Sequence, residues 1–161
     1  MTMTREMPHN MPMTGGRSLV DRYRAALGLA DAIPLSLVQL AARVAVAHVF
    51  WQSAQTKLAS WPVTLQLFAM EYRIPVLDPA VAAPLATAAE ITGSVLIFFG
   101  LFARLGALML LGVTATIQIF VYPENWAEHL IWASMLFLVF ARGAGVVSLD
   151  WLAGRFFGRG A

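Results

Sequence analysis

The stretch AVAAPLATAAEITGSVLIFFGL, residues 80–101, decides the fold. A helix of about 20 apolar residues, rising about 1.5 Å per residue, matches the roughly 30 Å hydrocarbon core of a bilayer. The one charged side chain in this stretch is Glu90, near its middle. Because a carboxylate at that depth is costly in lipid, we expect Glu90 to face a partner or a wet cavity and to mark a functional site.

The composition of the whole chain agrees with membrane insertion. Of its 161 residues, 59% are hydrophobic and 12% are charged, whereas a soluble domain has about 25% charged residues. The net charge is +2, and the basic residues cluster near predicted helix ends, which favours contact with lipid headgroups over nucleic-acid binding. The chain contains no cysteine, so electrons in any redox role would reside on a partner or a bound cofactor.

Hydropathy divides the chain into four predicted spans, residues 33–57, 80–101, 103–122 and 127–144. The second and third spans are separated by so short a turn that they must form an antiparallel hairpin. The sequence therefore predicts an all-α, integral membrane four-helix antiparallel bundle within a membrane domain of residues 33–150. We expect a short interfacial or re-entrant helix in the long connection, residues 58–79.

The two ends of the chain have their own predicted structures. Residues 1–17 lack periodicity and are predicted to be a disordered tail without a cleavable signal peptide. Residues 18–31 predict a short amphipathic helix on the membrane surface, started by a capping box of Ser18 and Asp21. Residues 151–161 are predicted to be a cytoplasmic tail. Basic residues are more frequent on the side of both termini, which predicts that both termini are cytoplasmic.

Charged side chains inside the first span predict a partner for Glu90. Arg43 and Glu90 both fall about 15 Å from the cytoplasmic face when residues are counted along their helices. We predict an Arg43–Glu90 ion pair inside the bundle, since either charge alone would cost at least about 2.5–3.5 kcal/mol in lipid. Lys57 shares the face of the first span that carries Arg43. Structural and ligand-binding or proton-binding roles for these charges remain open.

Other polar residues predict a cavity in the outer half of the membrane. His48 shares a second face of the first span with two glutamines, and Gln118 of the third span lies near the same level. An interhelical hydrogen bond between His48 and Gln118 is favoured over a haem or quinone ligand role. The residues expected to bound this outward-opening cavity are His48, Gln52, Gln118, Glu128 and His129.

The N-terminal tail holds soft metal ligands, namely Met3, Met7, His9, Met11 and Met13. Thioethers with imidazole suit Cu(I), but a leader without metal chemistry is the favoured interpretation, and we predict no firm metal site. The sequence contains no HExxH, Walker, GxGxxG or GxSxG motif, so no self-contained catalytic motif supports an enzymatic activity.

Motifs spread over residues 38–150 resemble the DoxX family of small four-span bacterial membrane proteins. In chain order these are Arg43, the segment FWQSAQTKL at residues 50–58, Ile74-Pro75, Glu90 with Gly93, Gly100-Leu101, Arg104, and Gly145 with Ser148-Leu149-Asp150. Ala54 departs from the family, which often has glycine before the lysine.

The resemblance implies a location in the bacterial inner (plasma) membrane and a role as a membrane subunit of a redox or stress-response system. Characterised relatives are a membrane subunit of a thiosulfate:quinone oxidoreductase and a component of a mycobacterial complex that handles oxidative stress. By this analogy, Glu90, Arg43 and Lys57 line a quinone or small-ligand site, or hold the bundle together for a soluble or membrane partner protein or a further copy. The alternatives are a small transporter or copper-handling protein, and a structural anchor without ligand chemistry.

Overall fold

The structure is a computed structural model that describes residues 18–75 and 77–157. Within these residues the chain is helical and contains no strand, so the predicted all-α class is confirmed. The seven α-helices are α1 (Leu19–Asp31), α2 (Leu35–Ala59), α3 (Trp61–Leu67), α4 (Pro79–Phe99), α5 (Ala103–Thr116), α6 (Trp126–Arg142) and α7 (Leu149–Phe157). Two π-helical segments, Phe68–Tyr72 and Ile117–Val121, continue α3 and α5. The tail predicted at residues 1–17 lies outside the described residues.

Helix α1 belongs to the first of two compact units, and α2 to α7 form the second. The predicted capping box is present: Ser18 Oγ accepts from the amide of Val20, and the carboxylate of Asp21 accepts from the amide of Ser18. These two bonds satisfy amides that have no partner within the first turn. Every side chain of α1 is exposed, and its position on a membrane surface stays a prediction.

Three helices among the described residues are long and apolar enough to cross a membrane, namely α2, α4 and the continuous helix Ala103–Val121. They coincide with the first three predicted spans to within two residues at each end. Helix α6, at the place of the fourth predicted span, is shorter, with 17 residues. Helix α2 packs against α4 and α6, and α5 packs against the same two helices, so the four form a closed ring of contacts.

The core between these helices combines large apolar side chains with small residues that allow close packing. Phe50, Ile97 and Leu110 are fully buried at the centre. A Cβ atom at Gly93 of α4 would lie 2.6 Å from the side chain of Leu110 on α5. The missing side chain at Gly93 therefore lets α4 and α5 approach closely, as small residues do between membrane helices.

The turn between α4 and α5 is held by the segment that begins α7. Gly100 has a φ of +63°, a conformation that favours glycine. Asp150 accepts hydrogen bonds from the amides of Phe102 (2.7 Å) and Ala103 (3.0 Å), which caps α5. The amide of Asp150 donates in return to the carbonyl of Gly100 at 2.8 Å. Helix α7 includes residues 151–157 of the predicted C-terminal tail.

The long connection between α2 and α4 contains the short helix that the sequence predicts, and a π-helical segment follows it. Phe68 is buried against Ala82 and Ala83 of α4. The segment ends at Arg73, which adopts a left-handed conformation with a φ of 39°. This connection therefore covers the first half of α4, next to the cavity described below.

Candidate ligand-binding cavity

Glu90 forms an ion pair with Lys57 inside the helix ring. The ammonium nitrogen of Lys57 lies 2.8 Å from Glu90 Oε1 and 2.9 Å from Oε2, and it also donates to Ser53 Oγ at 2.8 Å. Ser53 Oγ donates to Glu90 Oε1 at 3.1 Å. Glu90 is 1% exposed, whereas the side chain of Lys57 is 14% exposed. All three donors of the ammonium group are therefore used in one network around the carboxylate.

This network lies in the wall of a cavity of about 630 Å³. The other lining residues are mostly apolar or aromatic and come from α2, α4, α5, α6 and both π-helical segments. Trp132 of α6 contacts Phe50 of α2 edge to face, with ring centroids 5.6 Å apart. A cavity of this size, with apolar walls and a few polar groups, is typical of a small-molecule binding site.

Both π-helical segments contribute to the cavity, and the tyrosines at their C-terminal ends, Tyr72 and Tyr122, meet in its wall. The rings of Tyr72 and Tyr122 pack edge to face with centroids 5.9 Å apart, and the Tyr122 hydroxyl donates to Glu71 at 2.6 Å. Burial raises the pKa of Tyr72, so its hydroxyl stays protonated to higher pH. Sequence reasoning missed Tyr72 and Trp132 as lining residues, and π-helical turns, which are frequent at functional sites, have no clear sequence signal.

The predicted Arg43–Glu90 ion pair is wrong, although both residues are buried as expected. The guanidinium of Arg43 instead donates to four backbone carbonyls. The four acceptors are Ile97 (2.8 Å) and Phe98 (2.7 Å) at the end of α4, and Ala144 (2.9 Å) and Val147 (2.7 Å) after α6. Carbonyls in the last turn of a helix have no partner within that helix, and the negative end of the helix dipole attracts a cation.

Arg43 and Glu90 do not lie at the same depth, because the ends of α2 and α4 are not at one common membrane face, as the residue count had assumed. Arg43 is level with the last turn of α4, seven residues or about 10 Å beyond Glu90. Lys57 reaches the carboxylate instead, since its long flexible side chain leans toward the N-terminal end of α2. The cation that pairs with Glu90 is therefore Lys57, which lies on the same face of α2 as Arg43.

The five residues expected to bound one polar cavity are separated. Glu128 and His129 line the 630 Å³ cavity with Glu90, whereas His48 lines a different groove between α2 and α4. Gln52 is exposed. The predicted His48–Gln118 bond is wrong, because Gln118 Oε1 is 2.6 Å from His129 Nδ1.

The orientation of Gln118 assigns the proton on His129. The amide nitrogen of Gln118 donates to the carbonyl of Pro123 at 2.7 Å, so its oxygen faces His129 as an acceptor. The neutral imidazole of His129 therefore carries its proton on Nδ1, and Nε2 is left as an acceptor. His129 is 3% exposed and adds this polar group to the cavity wall.

The soft ligands of the tail, Met3, Met7, His9, Met11 and Met13, lie outside the described residues. Among residues 18–75 and 77–157, no group of three or more His, Cys, Asp or Glu side chains could hold a metal ion.

Comparison with known proteins identifies one family. A model of the DoxX family matches residues 38–123, more than half of the chain, and this range contains Arg43, Lys57 and Glu90. No curated protein and no solved structure matches the chain. On the strength of the family match, the chain belongs to the DoxX family of membrane proteins.

Proposed function

We propose that this chain is a membrane subunit of a redox or stress-response system and binds a quinone in its cavity. The observation that carries the proposal is the Lys57–Glu90 ion pair in the wall of a largely apolar cavity, within a chain whose helices can span a membrane. Ionisable groups at such depth are costly, and they usually mark ligand or proton sites.

The proposed architecture is a four-helix antiparallel bundle in the bacterial inner membrane, with α6 as the fourth span. A helix of 17 residues is about 26 Å long, near the lower limit for crossing a bilayer. The closed ring of contacts and the short turn between α4 and α5 support this arrangement. The excess of basic residues near both termini supports a cytoplasmic location for both.

The chemistry of the wall suits a ring that carries carbonyl or hydroxyl groups. Glu90 and His129 Nε2 can accept a hydrogen bond from a ligand hydroxyl. The donors of Lys57 and Ser53 already bond within the network around Glu90, so a ligand carbonyl would take over one of these bonds. Phe50 and Trp132 supply aromatic surface for a planar ring. The cavity thus offers acceptors to the reduced form of a quinone, and a donor to the oxidised form when one bond of the network is exchanged.

Within such a system the chain would hold and orient the ligand. A bound quinone supplies the capacity to accept two electrons and two protons. The chain has no cysteine, so in this proposal electrons come from a partner protein. Glu90, held by Lys57 and Ser53, is the group placed to exchange a proton with the ligand.

The proposal is tested by titrating ubiquinone-1 and menadione into the purified protein in lipid nanodiscs. Quinones quench tryptophan fluorescence, and Trp132 lines the cavity. We expect saturable quenching that is weakened at least tenfold in a Lys57→Met/Glu90→Met variant. The matched control is Ser134→Ala, an exposed polar residue on α6, which should bind as the wild type does.

Two results would contradict quinone binding: no saturable quenching in the wild type, or equal affinity in the double variant. If the double variant also restores a deletion strain fully, the chain acts as a structural anchor. If the wild type binds no quinone and the double variant fails to restore the deletion strain, the result would favour transport of another small molecule.

A further inference from the structure

A second polar surface lies on α2, outside the cavity. His48, Gln52 and Gln55 are exposed and follow one another at intervals of four and three residues, so they share one face of the helix. None of the three lines the 630 Å³ cavity. Helix α2 is long and apolar enough to span a membrane, and His48 lies near its middle. We call these three residues the α2 stripe.

Lipid cannot satisfy the hydrogen-bonding groups of the α2 stripe. Polar residues in membrane helices nearly always face another helix or a water-filled cavity, and histidine and glutamine commonly form hydrogen bonds between helices. The α2 stripe is exposed in the described part of the chain, so α3 to α7 leave it free to contact another molecule.

We propose that the α2 stripe is the contact between two copies of this chain in the membrane. A glutamine amide and a neutral imidazole each carry both a donor and an acceptor. The same stripe is therefore complementary to its own copy, as a two-fold contact requires, because equivalent surfaces meet across the axis. None of the three side chains carries a fixed charge that would call for an oppositely charged partner.

The shape beside the α2 stripe supports a second copy. A groove of about 390 Å³ lies between α2 and α4, and His48 joins it to the stripe. The groove is lined by the small residues Ala47 and Ser94 and by aromatic rings, including Trp51 and Phe98. Small residues let helices approach closely in lipid, and the groove leaves room for side chains of the second copy.

The absence of cysteine from the sequence makes disulfide crosslinking a direct test. We would prepare full-length His48→Cys and Gln52→Cys variants, reconstitute each in phosphatidylethanolamine/phosphatidylglycerol vesicles, and oxidise them with copper phenanthroline. The matched control is Ser134→Cys, an exposed position near the middle of α6. We expect the α2 variants to form dimers at least ten times faster than the control, which reports random collisions.

Equal crosslinking rates at the three positions would overturn the proposal, as would an adduct with a different protein that forms only in native membranes. A second measurement uses energy transfer between labelled copies at increasing lipid dilution. Replacing the α2 stripe with leucine should weaken association at least tenfold while leaving the helical circular dichroism unchanged. Unchanged association would show that the two copies meet elsewhere or not at all.

Discussion

Two cations on the same helix, one buried and one partly buried, illustrate two uses of charge within a membrane protein. Arg43 and Lys57 are 14 residues apart on α2, about 21 Å along the axis. Arg43 is 1% exposed, and among the described residues it binds four backbone carbonyls that lie at one end of the helix ring. Lys57 binds a side-chain carboxylate beside a large cavity. The cavity beside Lys57 and Glu90 is thus what separates the proposed ligand site from the structural contacts of Arg43.

The residue types fit these two places. Arginine has five donors in a rigid planar group, which matches several carbonyls held in fixed directions by two chain segments. Lysine is a compact charge on a flexible stem, which can adjust to a carboxylate and to a ligand. The guanidinium of Arg43 packs directly against Gly100 in the α4–α5 turn. A Cβ atom at Gly100 would lie 2.6 Å from Arg43 Nη2, so a side chain there would displace the guanidinium.

The largest expected effect comes from replacing Arg43 with methionine. We expect the free energy of unfolding to fall by about 4 kcal/mol, because four carbonyls lose charge-assisted donors, and two of these bonds are buried. Denaturant unfolding of the detergent-solubilised protein, followed by circular dichroism, measures this loss. The control is Arg104→Met, at an exposed position, with an expected loss below about 1 kcal/mol. If Arg43→Met and Arg104→Met lose equal stability, Arg43 has no special structural role, and the contrast with Lys57 disappears.

A smaller effect is expected at the other cation. Lys57→Met should cost about 3 kcal/mol, because it leaves the Glu90 carboxylate buried without its cation. The Lys57→Met/Glu90→Met double variant should unfold within about 1 kcal/mol of the wild type, since replacing both members of a buried pair by apolar residues is often neutral. The same unfolding assay applies. If the double variant is as unstable as the single one, the Lys57–Glu90 network serves stability as Arg43 does.

The smallest effect concerns Tyr72 in the cavity wall and depends on pH. Because burial raises the pKa of Tyr72, the folded protein keeps a proton above about pH 10 that the unfolded chain has lost. Stability from this group is complete below about pH 10 and falls as the pH rises further. Above about pH 10, the stability of the Tyr72→Phe variant should therefore fall less than that of the wild type, by under about 1 kcal/mol.

The control for this last experiment is Tyr23→Phe, because Tyr23 is exposed on α1. Its pH dependence should equal that of the wild type in the same unfolding assay. A Tyr72→Phe variant that matches the wild type over the whole range would show that the cavity wall does not shield the hydroxyl.

Much of the fold could be predicted from local sequence. The membrane helices begin and end within about two residues of the predicted spans. Their ends depend on local features, namely apolar runs and turn residues such as Gly100. The burial of Arg43 and Glu90 was also predictable, since helical spacing places them among small and apolar neighbours. The contacts of Asp150 with the α4–α5 turn could not be predicted, because they join residues that are about 50 positions apart in the chain.

The amino-acid sequence by itself determined the all-helical class, three of the four predicted spans and the DoxX family, because composition and periodicity are properties of short segments. Only the tertiary structure decided which cation meets Glu90, that His129 rather than His48 bonds to Gln118, and where the cavity lies. The physical reason is helix register. The shift of α2 along α4 is set by close packing and by the carbonyls that Arg43 binds. A count of residues from a membrane face cannot predict the packing or these hydrogen bonds.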